Sequence, residues 1–512
     1  MTHHQDIKPP TTLAEVLDVL NAYPDPDEKR QQAKVSAISR IATYMHRPPS
    51  DIPTNLPQLR DLLASLHPVS CGVKPKSLST TKSDLASALR AAGVLPDHTS
   101  ARELAAPWED LISKVQSSHQ VWGMMRFARF CSAHAIHPTS VGGETIQAFR
   151  IELEATLLTG DPGKHLIAMI DTWNHVVRKN GFDLPQLARP RSDRYVARPL
   201  TDYPKSLQDE VNTYIDRLAR RDLFNDEGPD KPLRQTSLRN TIAHLRQILD
   251  ALVASGRNPE DFTCLADLIT ADNLKAAFRA IMQRRNTKVF PTGFGNVAAT
   301  FLAIARHHLQ APEQAVEALK HLHKTVATSP RGMSAKNSER LAQFNDWEAV
   351  VRLLSLPETL MARADNKPVL RKSAQLAMHA AALTILLSCP MRIKNLSGLD
   401  LDKHVIPFRT GTHTLYSIRI EGTEVKNGEP IEVKLTSGSS KLLHRYIMQF
   451  RPQISQASGR ALFPRNTDGK PRTPDNFGRE LTKCVYRETG LEVHPHLFRL
   501  SDVSTYRTDL EV

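Results

Sequence analysis

Between Ala374 and Cys389 the chain is apolar on every side, apart from Gln375, His379 and a few small hydroxyls. Such a pattern predicts a helix buried all round. Pro390 ends it, because proline disfavours a helical residue before it and lacks the N–H that the helix ladder needs. Ile393, Leu396 and Leu399 then recur at three-residue spacing and predict a second, short helix. Arg392 falls in the joint, so its guanidinium is carried between two anchored elements. A planar fork of permanent charge, held rigidly, suits a phosphate or a carboxylate. Pairing with a carboxylate across the helix junction is the plainer use of the same residue.

Upstream, helical periodicity runs from Thr12 to about Leu95, broken at Tyr23-Pro24-Asp25-Pro26 and Arg47-Pro48-Pro49. Ser77–Val94 has a hydroxyl-rich entry, Leu85, Ala88 and Leu89 on one face, and Gly93 as a stop, which predicts a capped helix. Trp108–Phe130 predicts one further helical segment, and Phe149–Leu158 and His165–Val177 continue the pattern. No strand-like alternation occurs in the first third. Pro185–Pro204, proline-rich and basic, reads as an extended linker or as a surface loop within one domain. Helices resume at Leu207–Ala219, Thr236–Ala254, Thr270–Arg285 and Gly295–His308. Polar Leu322–Asn345, with Ser329-Pro330-Arg331-Gly332, reads as a second linker, followed by a helix over Trp347–Ser355. Only then does a β signal emerge. Tyr416, Ile418 and Ile420 alternate with polar residues, as do Ile431, Val433 and Leu435, and Asn427-Gly428 between them predicts a hairpin. Lys426 stands immediately before that turn. The fold class expected is mainly α with a small β component, divided into residues 1–190, 200–325 and 330–512.

A chain of 512 residues exceeds one hydrophobic core, and 40% hydrophobic content is ample for globular packing. No run of eighteen apolar residues predicts a transmembrane helix, and the N-terminus lacks the pattern of a signal peptide. The five cysteines lie far apart without C-x-x-C spacing. That argues for a reducing cytosol and against a zinc site or disulfide framework. His307-His308, His321-x-His323 and His494-x-His496 gather no further ligand type, so no metal is expected. The first two groups read as surface histidines and His379 as a satisfied core histidine. A net charge of +13 and a pI near 9.5 favour a polyanionic partner, most often nucleic acid. Lys275, Arg279, Arg284, Arg285 and Lys288 fall within fourteen residues, and no acid follows until Glu313. A basic face of this kind would track a phosphate backbone; a merely solvated helix face is the other use of such a run.

Near the C-terminus, a helix starting at Pro495 would place His496 and Arg499 on one face. Alone, H-x-x-R says little. The order of an arginine after a buried helix, a lysine at a β-hairpin, Leu462-Phe463-Pro464 and then His494-Pro495-His496-Leu497-Phe498-Arg499 resembles the catalytic domain of tyrosine recombinases, the phage-integrase family. The resemblance covers Ser329 to Arg499, and Thr236–Leu309 is similar to that family's helical core-binding domain. It implies that Arg392 and Arg499 hold the non-bridging oxygens of a scissile DNA phosphate. Lys426 would protonate the departing 5′-oxygen, and His496 would serve as hydrogen-bond donor and proton carrier. A tyrosine nucleophile makes a phosphotyrosyl intermediate that conserves the bond energy, so no cofactor is implied.

The chain departs from the family after Arg499, where it reads LSDVSTYRTDLEV. Leu500 takes the place of a histidine, and Tyr506, seven residues past Arg499, comes too soon to be the nucleophile. Asn395, where many members carry an acid, is a milder departure. The expectation is a truncated or frameshifted integrase. It binds double-stranded DNA in the cytoplasm at the nucleoid, belongs to site-specific recombination and integration, and is inactive without a tyrosine. The alternative is a non-enzymatic DNA-binding or regulatory remnant that occupies sites, as a homo-oligomer or with an intact recombinase. A helical scaffold serving RNA or protein is a third reading.

Overall fold

The computed structural model describes residues 9–96, 103–190, 196–220, 232–327, 333, 335–366, 368, 370–411, 413–455 and 459–499. Ser329-Pro330-Arg331-Gly332, Leu500 and Tyr506 lie outside them. The chain packs as two compact units, Met1–Pro190 together with Ala335–Val512, and Arg191–Ser334. Among the described residues no helix is long and apolar enough to cross a membrane.

The N-terminal part of the first unit is helical throughout its described elements and has two cores. Helices α1 (Leu13–Ala22), α2 (Glu28–Met45), α3 (Leu56–Ser65) and α4 (Pro75–Ala91) bury Val16, Ile38, Ile41, Leu59, Leu85 and Leu89 against one another. Helices α5 (Ala106–Ser113), α6 (Ser118–Ala133), α7 (Gly143–Thr156) and α8 (Pro162–Asn180) close around Trp108, Phe127, Phe149 and Trp173. Each indole N–H finds a carbonyl, Ile136 at 2.7 Å and Pro185 at 2.8 Å, as buried tryptophans require. Two expectations need correction. The helix foreseen over Ser77–Val94 starts at Pro75 after Lys74 with no side-chain cap, although Gly93 does adopt positive φ beyond its end. A proline at the first helical position replaces the hydroxyl cap, since its missing N–H needs no acceptor. The single segment foreseen over Trp108–Phe130 is two helices that break between Ser113 and Ser118.

The second unit holds α9 (Lys205–Ala219), α10 (Gln235–Ala254), α11 (Leu265–Leu268), α12 (Ala271–Arg284), α13 (Gly293–His307) and α14 (Glu313–Val326) around one core. Helix α14 continues into the stretch expected to be linker, and α15 (Ala335–Ala342) resumes inside it, so the unstructured run foreseen over Leu322–Asn345 is much shorter. His308 is also corrected. It is largely buried, 3.3 Å from Glu210 and tilted against the Tyr214 ring, rather than a surface histidine.

The C-terminal part of the first unit contains α15, α16 (Trp347–Leu354), α17 (Leu356–Asp365), α18 (Arg371–Ser388), α19 (Ile393–Ser397), β1 (Val405–Thr410), β2 (His413–Ile420), β3 (Ile431–Lys434), α20 (Ser437–Arg445) and α21 (Pro474–Thr489). Helix α18 is the axis of this core, with Ala374, Ala377, Met378 and every residue from Ala380 to Leu387 buried. The strands form an antiparallel meander in the order β1-β2-β3, with Val405 opposite Ile418, Ile418 opposite Val433, and Ile420 opposite Ile431. The alternation foreseen for β2 and β3 therefore holds. Strand β1 was not foreseen, because Pro407 interrupts its pattern; on an edge strand the missing N–H is tolerated. Replacing Leu383, which is 0% exposed, by alanine should cost about 2–5 kcal/mol of stability. Chemical denaturation measures this, and an unchanged midpoint would contradict the burial of α18.

Candidate active site

Arg392 is the residue on which α18 and α19 converge. Cys389 still donates its N–H to the Ile385 carbonyl at 2.7 Å, Pro390 breaks the ladder, and Arg392 takes up extended backbone (φ −68°, ψ 142°) as the cap of α19. Its neighbours are locked, for Met391, Leu396 and Leu399 are buried to within 1%. Past α19, Leu462 donates to the Leu399 carbonyl at 2.8 Å and Leu401 donates to the Arg460 carbonyl at 2.9 Å. The Leu-Phe-Pro stretch thus clamps the same segment from the other side. Tyr446, fully buried, adds its hydroxyl proton to the Leu462 carbonyl at 2.9 Å. Arg392 itself is half-buried, and its guanidinium makes no hydrogen bond or ion pair with any described residue. Of the two uses open to it in the sequence, pairing with a carboxylate has no partner among the described residues.

Helix α21 brings the histidine segment to this arginine. At Gly478 an added Cβ would lie 3.4 Å from Ile393 Cγ1 and 3.9 Å from Pro495 Cγ. Ile393 follows Arg392 and Pro495 precedes His496, so the neighbours of both residues meet α21 at Gly478, where an added methyl would sit at ordinary contact distance. Buried Leu497 and Phe498 anchor the histidine strand, and His496 is exposed. The helix foreseen from Pro495 is instead a turn followed by a single 3-10 turn, Leu497–Arg499. Arg499 closes that turn. The rings of His494 and His496 stand 6.0 Å apart, edge to face. Burial, and then the charges of Arg340 and His496, hold the His494 pKa below its ordinary value.

Lys426 is placed by other means. It is exposed on the loop between β2 and β3, where it has no hydrogen-bond or ion-pair partner among the described residues. Val425 is buried beside it, and the Gly428 N–H bonds to the Val425 carbonyl at 3.2 Å with Gly428 at φ +79°. Gly422 faces the Gly428 carbonyl so closely that a Cβ there would sit 2.2 Å from its oxygen. The loop base is tied by His404. Its Nδ1 accepts the Asp400 N–H at 2.9 Å, which leaves Nε2 to donate to Glu424 at 2.8 Å. The structure thus brings Ile393 and Pro495, the neighbours of Arg392 and His496, against one helix, and stations Lys426 on a separate, pinned loop.

Nothing in the sequence marked the network that fixes α21. Arg472, 8% exposed, donates through Nη1 to both carboxylate oxygens of Glu480 at 2.6 and 2.7 Å. His379 of α18 lies 3.7 Å from the same carboxylate, and neither of its ring nitrogens has a hydrogen bond. The expectation of a satisfied core histidine is therefore corrected to a half-buried one whose ring nitrogens have no hydrogen bond and which faces the Glu480 carboxylate. The three residues are 93, 8 and 101 positions apart pairwise, so no local pattern could have joined them.

The basic face of the second unit is exposed at Arg279, Arg284, Arg285 and Lys288. Lys275 pairs with Asp272 at 3.3 Å, an acid that is 94% exposed and hence a weak brake on its charge. Val289 and Phe290 follow, also exposed. Among the described residues no three His, Cys, Asp or Glu side chains gather as metal ligands.

These positions can be set beside known proteins. Residues 357–505 match the phage integrase family. The matched stretch runs from α17 past Arg499 and contains Arg392, Lys426 and His496 as well. No curated protein sequence matches the chain. Among solved structures, the crystal structure of XerA recombinase aligns with 15% identity over 56% of this chain and 81% of that one. Its TM-score is 0.17, too low to carry an argument.

Burial acts to raise the Glu480 pKa, but His379 and Arg472 outweigh it and leave the carboxyl below its ordinary value. A depressed carboxylate contributes stability that is present above its unfolded pKa of about 4.3 and is lost as pH falls through the lower folded value. Glu480→Gln should therefore flatten the acid limb of the stability–pH curve. It should also cost about 2–3 kcal/mol near neutral pH, less than the loss of a fully buried partner because Glu480 is 37% exposed. Identical acid limbs for the two proteins, followed by thermal unfolding, would exclude this role.

Proposed function

We propose that this protein binds duplex DNA and grips one backbone phosphate in the manner of a tyrosine recombinase, within DNA recombination and integration. Residues 330–512 would form the catalytic domain, 200–325 a core-binding domain and 1–190 a helical N-terminal region. The observation that carries the reading is Arg392, rigidly anchored and unpartnered among the described residues, sharing α21 with the His496 segment inside the integrase-matching stretch. Arg392 and Arg499 would hold the two non-bridging oxygens, where negative charge builds as the phosphorus is attacked. Preset cations there lower the barrier without any reorganisation at the moment of reaction. Lys426 would give a proton to the leaving 5′-oxygen, and its exposed, unpaired ammonium on a fixed loop supports that role. His496, exposed beside the neutral-leaning His494, would donate a hydrogen bond to the phosphate. Lys275, Arg279, Arg284, Arg285 and Lys288 would follow the duplex backbone.

The nucleophile is the finer question. Within 335–499 the tyrosines are Tyr416, bonded to His444 at 2.8 Å, Tyr446, bonded to Leu462, and Tyr486, packed against His67 at 4.9 Å. Each has a partner of its own, Tyr486 also lining a pocket beside His494, and Tyr506 comes too soon after Arg499. We infer that the chain occupies DNA without cleaving it alone, and that an intact recombinase on the same DNA would supply a tyrosine.

One experiment separates these statements. With a nicked suicide duplex, affinity should fall steeply with salt, and the log–log slope should shrink by about 1 for Arg279→Ala. No covalent protein–DNA band should form. A covalent band with purified protein overturns the missing-nucleophile reading, and salt-independent binding overturns the DNA reading.

A further inference from the structure

The N-terminal 190 residues lie outside the integrase match, and the function proposed above leaves their charge unused. Where α4 faces α6 and the stretch that follows α7, a cleft of about 500 Å³ opens. It lies between the two N-terminal cores. Lys82 and Arg90 reach it from α4 and Arg126 from α6, and no aspartate or glutamate lines it. Glu152, whose charge acts on Arg126, lines the neighbouring groove with Trp122 instead.

The three cations are not consumed by the fold. Lys82 donates one hydrogen bond, to the Leu63 carbonyl at 2.6 Å, and an ammonium has two protons more. Arg126 donates to the Thr156 hydroxyl at 2.8 Å and keeps the rest of its fork. Arg90 is half-buried, and its side chain makes no hydrogen bond or ion pair among the described residues. Their proximity is unfavourable as it stands. Burial pushes the Arg126 pKa down, Glu152 opposes, and the charge of Arg90 lowers it further. Burial also pushes the Lys82 pKa down. An anion seated among them would reverse each of these effects.

The walls are fixed and partly apolar. Arg60 of α3 donates to the carbonyls of Leu157 and Glu154, which holds the chain after α7 against the first core. Leu66, Leu78 and Leu158 line the remainder of the cleft. The volume falls among those of small-molecule pockets, whose usual lining is apolar with a few placed polar groups. Inorganic phosphate alone would leave that wall uncovered.

We propose that this cleft binds an organic phosphate, its phosphate among Lys82, Arg90 and Arg126 and its organic body against Leu66, Leu78 and Leu158. A free nucleotide-sized molecule and a nucleotide of a nucleic-acid strand both carry such a group, and the test distinguishes them. Full-length protein is titrated calorimetrically with adenosine 5′-diphosphate, with inorganic pyrophosphate and with a twelve-nucleotide single strand. Arg90→Gln and Arg126→Gln are compared with Lys179→Gln, an exposed cation of α8 that lies outside the cleft. The nucleotide, the strand or both should bind, at least about tenfold more weakly in Arg90→Gln, the size of one charge-assisted hydrogen bond. Lys179→Gln should leave nucleotide binding unchanged. Because the Arg90 side chain has no partner among the described residues, its variant should unfold at the same temperature or a higher one. Nucleotide binding identifies a free ligand, and binding of the strand alone identifies a polymer. The proposal is overturned if no probe binds in an Arg90-sensitive way, or if pyrophosphate binds as tightly as the nucleotide.

Discussion

An arginine held in place with no counter-charge among the described residues is the constraint on which the C-terminal part of this protein depends. A guanidinium is always ionised, so leaving it unpaired is tolerable only where solvent still reaches it. Arg392 meets that condition by sitting half-buried in a joint, while Met391, Leu396 and Leu399 on either side are buried. The backbone is thus fixed by apolar packing and the charge stays hydrated until an anion arrives. Helix α18 makes this workable, because a helix buried on every side cannot shift or roll to release the joint that follows it.

Helix α21 does for position what α18 does for rigidity. Gly478 lets Ile393 and Pro495 approach one helix face, and a larger residue would hold them off. The Arg472–Glu480 pair and His379 tie that helix back to α18. Removing one member of such a cluster leaves a buried cation exposed to its own desolvation cost, which is why geometry at a distance from Arg392 still governs it. At the sheet, His404 and Glu424 pin the loop of Lys426 in the same economical way, with one imidazole bridging a backbone N–H and a carboxylate.

Much of this was legible in the sequence, wherever a strong periodic signal met a clear stop. The apolar run before Pro390, the short helix after it and the alternation around Asn427-Gly428 all became the elements they predicted. Strand β1 escaped because Pro407 broke its alternation, and α15 escaped because none of its residues is buried, leaving no apolar stripe to read. The turn at His496 was taken for a helix since three-residue spacing suits either. Gly478, Glu480 and Arg472 carried no signal at all. Their roles arise from contacts between segments distant in the chain, and one glycine in a helix looks like any other until something rests on it.

The meeting of two segments at Gly478 is therefore the point to test. Gly478→Leu should wedge Ile393 from Pro495 while α21 stays folded, as far-ultraviolet circular dichroism would verify. Duplex affinity at moderate salt should then fall about as far as it does for Arg392→Ala, by roughly tenfold or more. If the leucine variant is folded and binds duplex as tightly as the unsubstituted protein, the two segments do not act on a common phosphate.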